Sequence, residues 1–280
     1  MGRPGRNPPP ARRVRGHSRG AAPLPRPRRP VAVGLRTDRQ LGSRGVRRES
    51  EESILDSQQT YYRARADEYD EWWERRGRYA QDPEANDQWR QEISELRELF
   101  DSLSLDGDVI ELAPGTGYWT ELLAERARSV TAIDGAPEMI ACNRARLGRK
   151  AEVVTYLQQD IFDWVPPRRF DAMVFCFWIS HVPRRRLPKF LATCRAALNT
   201  GAHLFFVDNL REQPGFSVDE VRSDSRSELT QRRLNDGREF TIVKNFYDPE
   251  ELRDAALSAE IQLEVGHTST YFQYGIGQAI

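Results

Sequence analysis

The sequence holds little that would build a disulfide lattice, a metal knuckle or a membrane span. Its three cysteines, Cys142, Cys176 and Cys194, are widely spaced among 280 residues. Few and odd in number, they exclude a disulfide scaffold and fit a reducing cytoplasm. His181, His203 and His267 share no metal-ligand spacing with one another or with the cysteines, so no metal is expected. No apolar run approaches the roughly 18 to 20 residues that cross a bilayer. Mean hydropathy is -0.69 and 30% of residues are charged, which points to a soluble, cytoplasmic protein with no membrane partner.

What the chain does contain is charge, unevenly divided. The formal net charge is zero, yet residues 1–50 hold 14 arginines against two acids, Asp38 and Glu49, and so carry about +12, which leaves about -12 on the remainder. The same segment has eight prolines and seven glycines. Such a composition cannot bury a core and predicts a disordered extension. It lacks the apolar region of a secretory signal, and its prolines argue against the helix of an organellar transit peptide. An arginine-rich arm can bind nucleic acid or an anionic surface. It can equally be a dispensable extension, or coding sequence upstream of the true start. The acidic remainder disfavours a nucleic-acid partner for the whole chain.

Residues 51–280 read as one domain: leading helices over 51–105, a nucleotide-binding core over 106–209, and a substrate-side insert with closing strands over 210–280. "SILDSQQTYYRARADEYDEWWERRGRY" has helical spacing and clusters aromatics at Tyr61, Tyr62, Tyr69, Trp72, Trp73 and Tyr79. A second helix follows, with Trp89, Ile93, Leu96, Leu99 and Phe100 on one stripe. Strands at "VIELA", "SVTAID", "EVVTYLQQD", "FDAMVFCFW" and "AHLFFVDN" then alternate with helices. That rhythm predicts a three-layer α/β sandwich around a mostly parallel sheet. Beyond Asn209 the rhythm changes. Asn235-Asp236-Gly237 sits between two strand-like arms as a hairpin turn, and Asp248 with Glu251 has the spacing of a capping box. "IQLEVGHTSTYFQYGIG" closes the chain with strands.

The chemistry concentrates in "ELAPGTGYW". A phosphate-binding P-loop needs GxxxxGK[ST], and no lysine follows Gly117 here. A dinucleotide loop wants GxGxxG, whereas Gly115 and Gly117 stand without a third glycine at 120. Two acids sharpen the reading. Asp134 ends the second strand, where a carboxylate can take both ribose hydroxyls. Glu111 lies inside the first strand, where it would repel a pyrophosphate but suit a cofactor with a cationic amino-acid end.

With these residues in place, the chain resembles the class I S-adenosylmethionine-dependent methyltransferases of the small-molecule type, clearly over 105–208 and loosely over the last strands. The resemblance implies a Rossmann-like seven-stranded sheet, parallel but for a last antiparallel strand, with "REFTIVKNF" and "IQLEV…TYFQYG" supplying the final pair. It implies S-adenosyl-L-methionine as cofactor. Glu111 would lie near the methionine ammonium, Gly115 and Gly117 would let the main chain pass close, and Asp134 would accept from the ribose. Asp160 would face the adenine amino group, with Ile161, Phe162 and Met139 covering the ring. Phe177 would line the methionine side, and Tyr61, Tyr62 and Tyr69 would stand near the cofactor as a lid, a role to be weighed against simple core packing. Ala113, where many members carry glycine, reads as a harmless strand residue.

His181 follows the fourth strand at the edge where open α/β sheets place ligands, either as a general base or as loop support and substrate wall. Asp208 and Asn209, ending the fifth strand, and Tyr271 are candidate substrate contacts. Arg211, Arg222, Arg226, Phe272 and Tyr274 form a further set able to grip an anionic or aromatic molecule. The implied reaction is methyl transfer to oxygen or nitrogen of a small acceptor. The alternatives are a nucleic-acid or protein methyltransferase using the basic arm, an NAD(P)-linked oxidoreductase, or a non-catalytic cofactor-binding module. The acceptor and the oligomeric state stay open.

Overall fold

The structure, a computed structural model, describes residues 50–214 and 227–280. The basic arm, Arg222 and Arg226 therefore lie outside the described residues.

The strands of the core are β1 (Asp108–Leu112), β2 (Ser129–Asp134), β3 (Val154–Gln158), β4 (Phe170–Cys176) and β5 (Leu198–Asn209). They are followed by β6 (Leu229–Arg233), β7 (Glu239–Val243), β8 (Ile261–His267) and β9 (Phe272–Ala279). Seven of them form one sheet in the order β3-β2-β1-β4-β5-β9-β8. β9 runs antiparallel to both β5 and β8, while β1 to β5 pair in parallel. This is the mostly parallel sheet that the sequence rhythm predicted, in the Rossmann-like seven-stranded form that the family resemblance implied.

The period of two along each strand sends alternate residues to opposite faces. Ile110, Leu112, Ile133, Met173, Phe175, Leu204 and Phe206 pack on one face. Val109, Val130, Ala132, Ala172, Val174, Phe205 and Val207 pack on the other. Both faces are thus apolar, and both are covered by helices, as a parallel sheet requires. By the same alternation Glu111 falls on the second face, where an apolar residue would be expected. It is buried there, at 2% exposure.

The leading segment departs from the two helices expected. α1 (Glu51–Arg65) stops in a 3-10 turn over Ala66–Glu68, and only a four-residue α2 (Asp70–Trp73) follows. Arg75 at φ 53° and Gly77 at φ 60° then turn the chain into α3 (Pro83–Asp101). The break lets Asp70 reach the glycine turn, where it accepts from the Thr116 hydroxyl at 2.6 Å and from Arg146. α3 buries Trp89, Leu96 and Phe100. Its Glu92 accepts from the Tyr271 amide at 2.8 Å and from the Thr268 hydroxyl, which ties it to the loop before β9.

Two local expectations change. "REFTIVKNF" does not join the main sheet: β7 pairs with β6 in a separate hairpin around Asn235-Asp236-Gly237, and α1 packs on β7. The main-sheet edge is instead completed by β8 and β9. Asp248 does cap α7 (Pro249–Ser258), accepting from the Glu250 amide at 2.8 Å. Glu251 closes no reciprocal box, because it is drawn to Arg184.

Candidate active site

Three residues of the turn after β1 set the site. Ala113 has φ 52°, Gly115 φ 55° and Gly117 φ 98°, so the chain passes through the left-handed region three times in five residues. A side chain is tolerated at Gly115 by space but not by φ. At Gly117 a Cβ would also sit 2.9 Å from Asn143 Cγ. The strand geometry expected for Ala113 is not found. This alanine takes a conformation that costs an L-residue about 1–2 kcal/mol, which a glycine would not incur. Gly117 caps α4 (Tyr118–Ala124), and α5 (Pro137–Leu147) begins beyond β2.

Asp134 closes this turn from the next strand. Its carboxylate accepts from the Ala136 amide at 2.8 Å and the Gly115 amide at 3.3 Å. Burial nevertheless pushes it up to about 6. Glu111 is pushed further, to about 8, by burial, with the Thr120 hydroxyl opposing and Asp134 adding to the rise. Its Oε2 is buried and meets no hydrogen-bond donor. A carboxylate in that state fits a ligand that brings a cation or N–H group.

A cleft of about 720 Å³, its mouth included, runs along these strand ends. It gathers Tyr62, Tyr69, Ala113, Gly115, Asp134, Met139, Asp160, Ile161, Phe162, Phe177 and His181. Asp160 is exposed, and its carboxylate is held by the Phe162 amide at 2.8 Å. Glu111 and Gly117 line a recess of the same turn, sharing Tyr69, Ala113, Gly115 and Phe177 with the cleft. Phe177 is held at φ 59°, where a bulky residue is a genuine outlier. Its amide donates to Val207 O at 2.6 Å. Such strain is kept only where surrounding packing over-determines it, and Trp72 meets its ring edge-on at 4.8 Å.

A second cavity of about 470 Å³, its open mouth included, lies beside the first. Tyr62, Tyr69, Phe177 and His181 belong to both walls. Beyond them lie Arg65, Tyr79, Asn209, Arg232 and Lys244. His181 is buried and neutral, held down at about 3 by burial and by the Lys244 charge. Its Nδ1 lies 2.7 Å from Val243 O and its Nε2 2.6 Å from the Tyr62 hydroxyl.

Three site expectations are not met. Tyr61 is fully buried against Leu234 and Ile242 of the hairpin and lines neither cavity. Its phenol accepts from Arg65 at 2.9 Å, because one helical step turns it about 100° from Tyr62. Asp208 stands behind the wall rather than in it, paired with Lys244 Nζ at 3.0 Å and accepting from the Ser180 amide at 3.0 Å. Burial alone would raise this carboxyl, but the lowering interactions, the Lys244 charge first and the Ser180 amide among them, together outweigh it and hold it below the usual range. Tyr271 packs edge-on against Trp89 at 5.1 Å and donates to Ala85 O at 3.1 Å, so it is core. Phe272 is likewise buried in that cluster, with Tyr274 packed against it.

Sequence reading missed Gln58, Arg65, Arg232 and Lys244. Gln58 donates to His181 O at 3.3 Å and accepts from the Val243 amide at 3.0 Å, and so locks α1 to the hairpin. One signal was available: Lys244 interrupts the apolar run "FTIVKNF", where a cation needs a partner.

Fold and cleft together define a class of protein, a Rossmann-like sandwich built to hold a nucleoside with a cationic tail at its carboxyl strand ends. Residues 109–201 match the methyltransferase domain family. A DhpI complex with SAH superposes with a TM-score of 0.65 and 34% identity, covering 82% of this chain and 98% of that one. A DhpI complex with SAM and HEP gives the same score and identity, with 100% of that chain covered. CcbJ methyltransferase from Streptomyces caelestis shares the fold at 17% identity and a TM-score of 0.60, covering 79% of this chain and 98% of its own. The ubiquinone biosynthesis O-methyltransferase of Xanthomonas campestris pv. campestris (strain B100) is 29% identical over 158 residues, 56% of this chain and 63% of that protein. The match thus spans less than two thirds of that curated relative. The chain belongs to the class I S-adenosylmethionine-dependent methyltransferases. Among the described residues no helix is long and apolar enough to cross a membrane.

Proposed function

We propose that the protein methylates an oxygen or nitrogen of a small acceptor in the cytoplasm, with S-adenosylmethionine as methyl donor. The observation that carries this reading is the row of carboxylates Glu111, Asp134 and Asp160 at successive strand ends, beside a second cavity that shares four wall residues with the cleft. The names of the matched O-methyltransferase relatives favour oxygen. Bound S-adenosylmethionine supplies a methyl made electrophilic by its sulfonium.

In this reading Glu111 meets the ammonium end and Asp134 accepts from the ribose hydroxyls, while Gly115 and Gly117 keep the turn thin. Asp160 faces the adenine amino group, and Met139, Ile161 and Phe162 enclose the ring. Phe177, Tyr62 and Tyr69 form the partition between the two cavities. They hold the acceptor against the donor, where alignment supplies much of the rate, and keep water out. His181 fixes Tyr62 in this partition.

Calorimetry with S-adenosylhomocysteine and with NAD tests the reading. The first binds and the second does not. Asp134→Ala removes up to two charge-assisted hydrogen bonds to the ribose and weakens the first by about 10²-fold. Binding of NAD in place of the adenosyl compound overturns it.

A further inference from the structure

Glu111 is one end of a row across the sheet. In the strand register it stands level with Ala132 of β2, and Ala132 with Tyr156 of β3, so the three share a face. α4 and α5 each bring one polar side chain to this row, Thr120 and Asn143, both 0% exposed. Together they link its ends. The Tyr156 hydroxyl donates to Asn143 Oδ1 at 2.7 Å. Burial, with Glu111 adding to the rise, pushes that phenol up to about 12, so it keeps its proton. Asn143 Nδ2 donates to Thr120 Oγ1 at 2.8 Å and to Gly115 O at 3.4 Å. A carbonyl oxygen can only accept, so Gly115 fixes which end of the amide is nitrogen. An amide nitrogen can only donate, so Thr120 Oγ1 accepts from it and keeps its single proton to give. The Thr120 hydroxyl acts on Glu111 as that donor. Every hydrogen in the chain is thereby directed from the edge strand toward Glu111, whose Oε2 is left without a donor. Apolar side chains would fill this layer without the desolvation that a polar chain costs. What the chain adds is direction.

We propose that Asn143 and Thr120 are positioning residues for the cofactor, holding the Glu111 carboxylate from one side and presenting its free oxygen to the ammonium end. This deepens the methyltransferase reading and rests on its assignment of Glu111. A hydrogen bond given to the ionised form favours that form, so the chain works against the burial that keeps Glu111 protonated. The titratable groups that face Glu111 are Asp134 from β2, Tyr156 from β3 and Cys176 from β4. Asp134 opposes ionisation, while burial keeps the phenol and the thiol neutral. α4 and α5 contribute Thr120 and Asn143, which carry no charge. The same amide also braces the turn: it holds Gly115 O, and a Cβ at Gly117 would come within 2.9 Å of Asn143 Cγ. One side chain thus sets both the donor to Glu111 and the thin backbone beside it.

The test titrates the full chain calorimetrically with S-adenosylhomocysteine and with methylthioadenosine, which keeps the nucleoside and the sulfur but has no amino-acid end. Thr120→Val removes the donor at nearly constant volume. It is expected to weaken S-adenosylhomocysteine by about tenfold while methylthioadenosine stays within about twofold. The rise in S-adenosylhomocysteine affinity that accompanies ionisation of Glu111 moves to higher pH by about one unit. Thr120→Ser restores both. Asn143→Asp can still accept from Tyr156 but draws the Thr120 proton to itself. It is expected to give a loss of the same kind, and it carries the test should Thr120→Val not fold. Equal losses for the two ligands, or a weaker affinity whose pH profile has not moved, would mean simple support of the turn and overturn the proposal. Unchanged S-adenosylhomocysteine binding by a folded variant overturns it too. Glu111→Gln separates this from the reading beneath. If that variant keeps the preference for S-adenosylhomocysteine over methylthioadenosine, the assignment of Glu111 itself fails. If it loses the preference and Thr120→Val does not, Glu111 stands and the positioning role alone is overturned.

Discussion

The Tyr62 hydroxyl lies 2.6 Å from His181 Nε2, across the partition between the two cavities. Nδ1 of the same ring is 2.7 Å from the Val243 carbonyl, which can only accept. The proton is therefore on Nδ1, and Nε2 accepts from Tyr62. Tyr62 comes from α1, His181 from the loop after β4 and Val243 from the hairpin. The contact fastens three elements that no strand or helix joins.

That arrangement makes His181 a positioning residue, and its pH behaviour separates this from general-base catalysis. With the imidazole held at about 3, activity shows no inflection from His181 between pH 6 and 7. Tyr62→Phe and His181→Ala are each expected to lower kcat by about tenfold through misalignment, with S-adenosylhomocysteine affinity little changed. An acid limb near pH 6.5 in the wild type that disappears in His181→Ala would restore the base.

Glu111 couples cofactor binding to protons. At neutral pH the carboxyl, raised to about 8, is largely protonated in the free protein. An ammonium group brought to it favours the ionised form. Binding of S-adenosylhomocysteine at pH 7 is expected to release up to about one proton, measured by calorimetry in buffers of different ionisation enthalpy. Glu111→Gln abolishes this release. The same shift acts on stability without ligand. Because the folded pKa lies above the ordinary 4.5, the contribution is fully present below pH 4.5 and is lost as pH rises through 8. His181 has the opposite sign: its folded value lies below the ordinary 6.5, so its contribution is present above 6.5 and lost as pH falls toward 3.

These groups differ in how far the sequence could reveal them. Gly115, Gly117 and Asp134 stand in a local pattern of strand, turn and strand end, and such patterns survive in one dimension. Arg65, Arg232 and Lys244 reach one cavity from the end of α1, from β6 and from just beyond β7, and only the packing of α1 on a hairpin outside the main sheet brings them together. Tyr61 and Tyr62 show the finer limit. Adjacent aromatics on a helix look alike in sequence, yet one step of rotation separates a core residue from a wall of the site.

Ala113 offers a local test of backbone strain. Ala113→Gly removes about 1–2 kcal/mol of left-handed strain and gives back about 0.4–1 kcal/mol through the freer unfolded chain. The expected outcome is equal or slightly higher thermal stability, read as a Tm rise of a few degrees at most. A fall in Tm would mean that the methyl of Ala113 contributes more through packing than its backbone costs.

Lys244 and Asp208 are each 3% exposed in their side chains, and their pair is the floor on which the second cavity stands. Removing one partner of such a pair leaves the other as a buried uncompensated charge, at a cost of about 3–5 kcal/mol, whereas removing both is often nearly neutral. Lys244→Met is therefore expected to destabilise the protein by that amount in urea unfolding, with Asp208 left to the Ser180 and Asn209 amides. Asp208→Asn added to it restores most of the loss, because an amide can still accept from the Ser180 amide. The restored double variant has lost a cation from the cavity wall without losing the fold. Its S-adenosylhomocysteine affinity is expected to match the wild type. A double variant as unstable as the single one would show that the pair is held by packing around the lysine stem rather than by its charge.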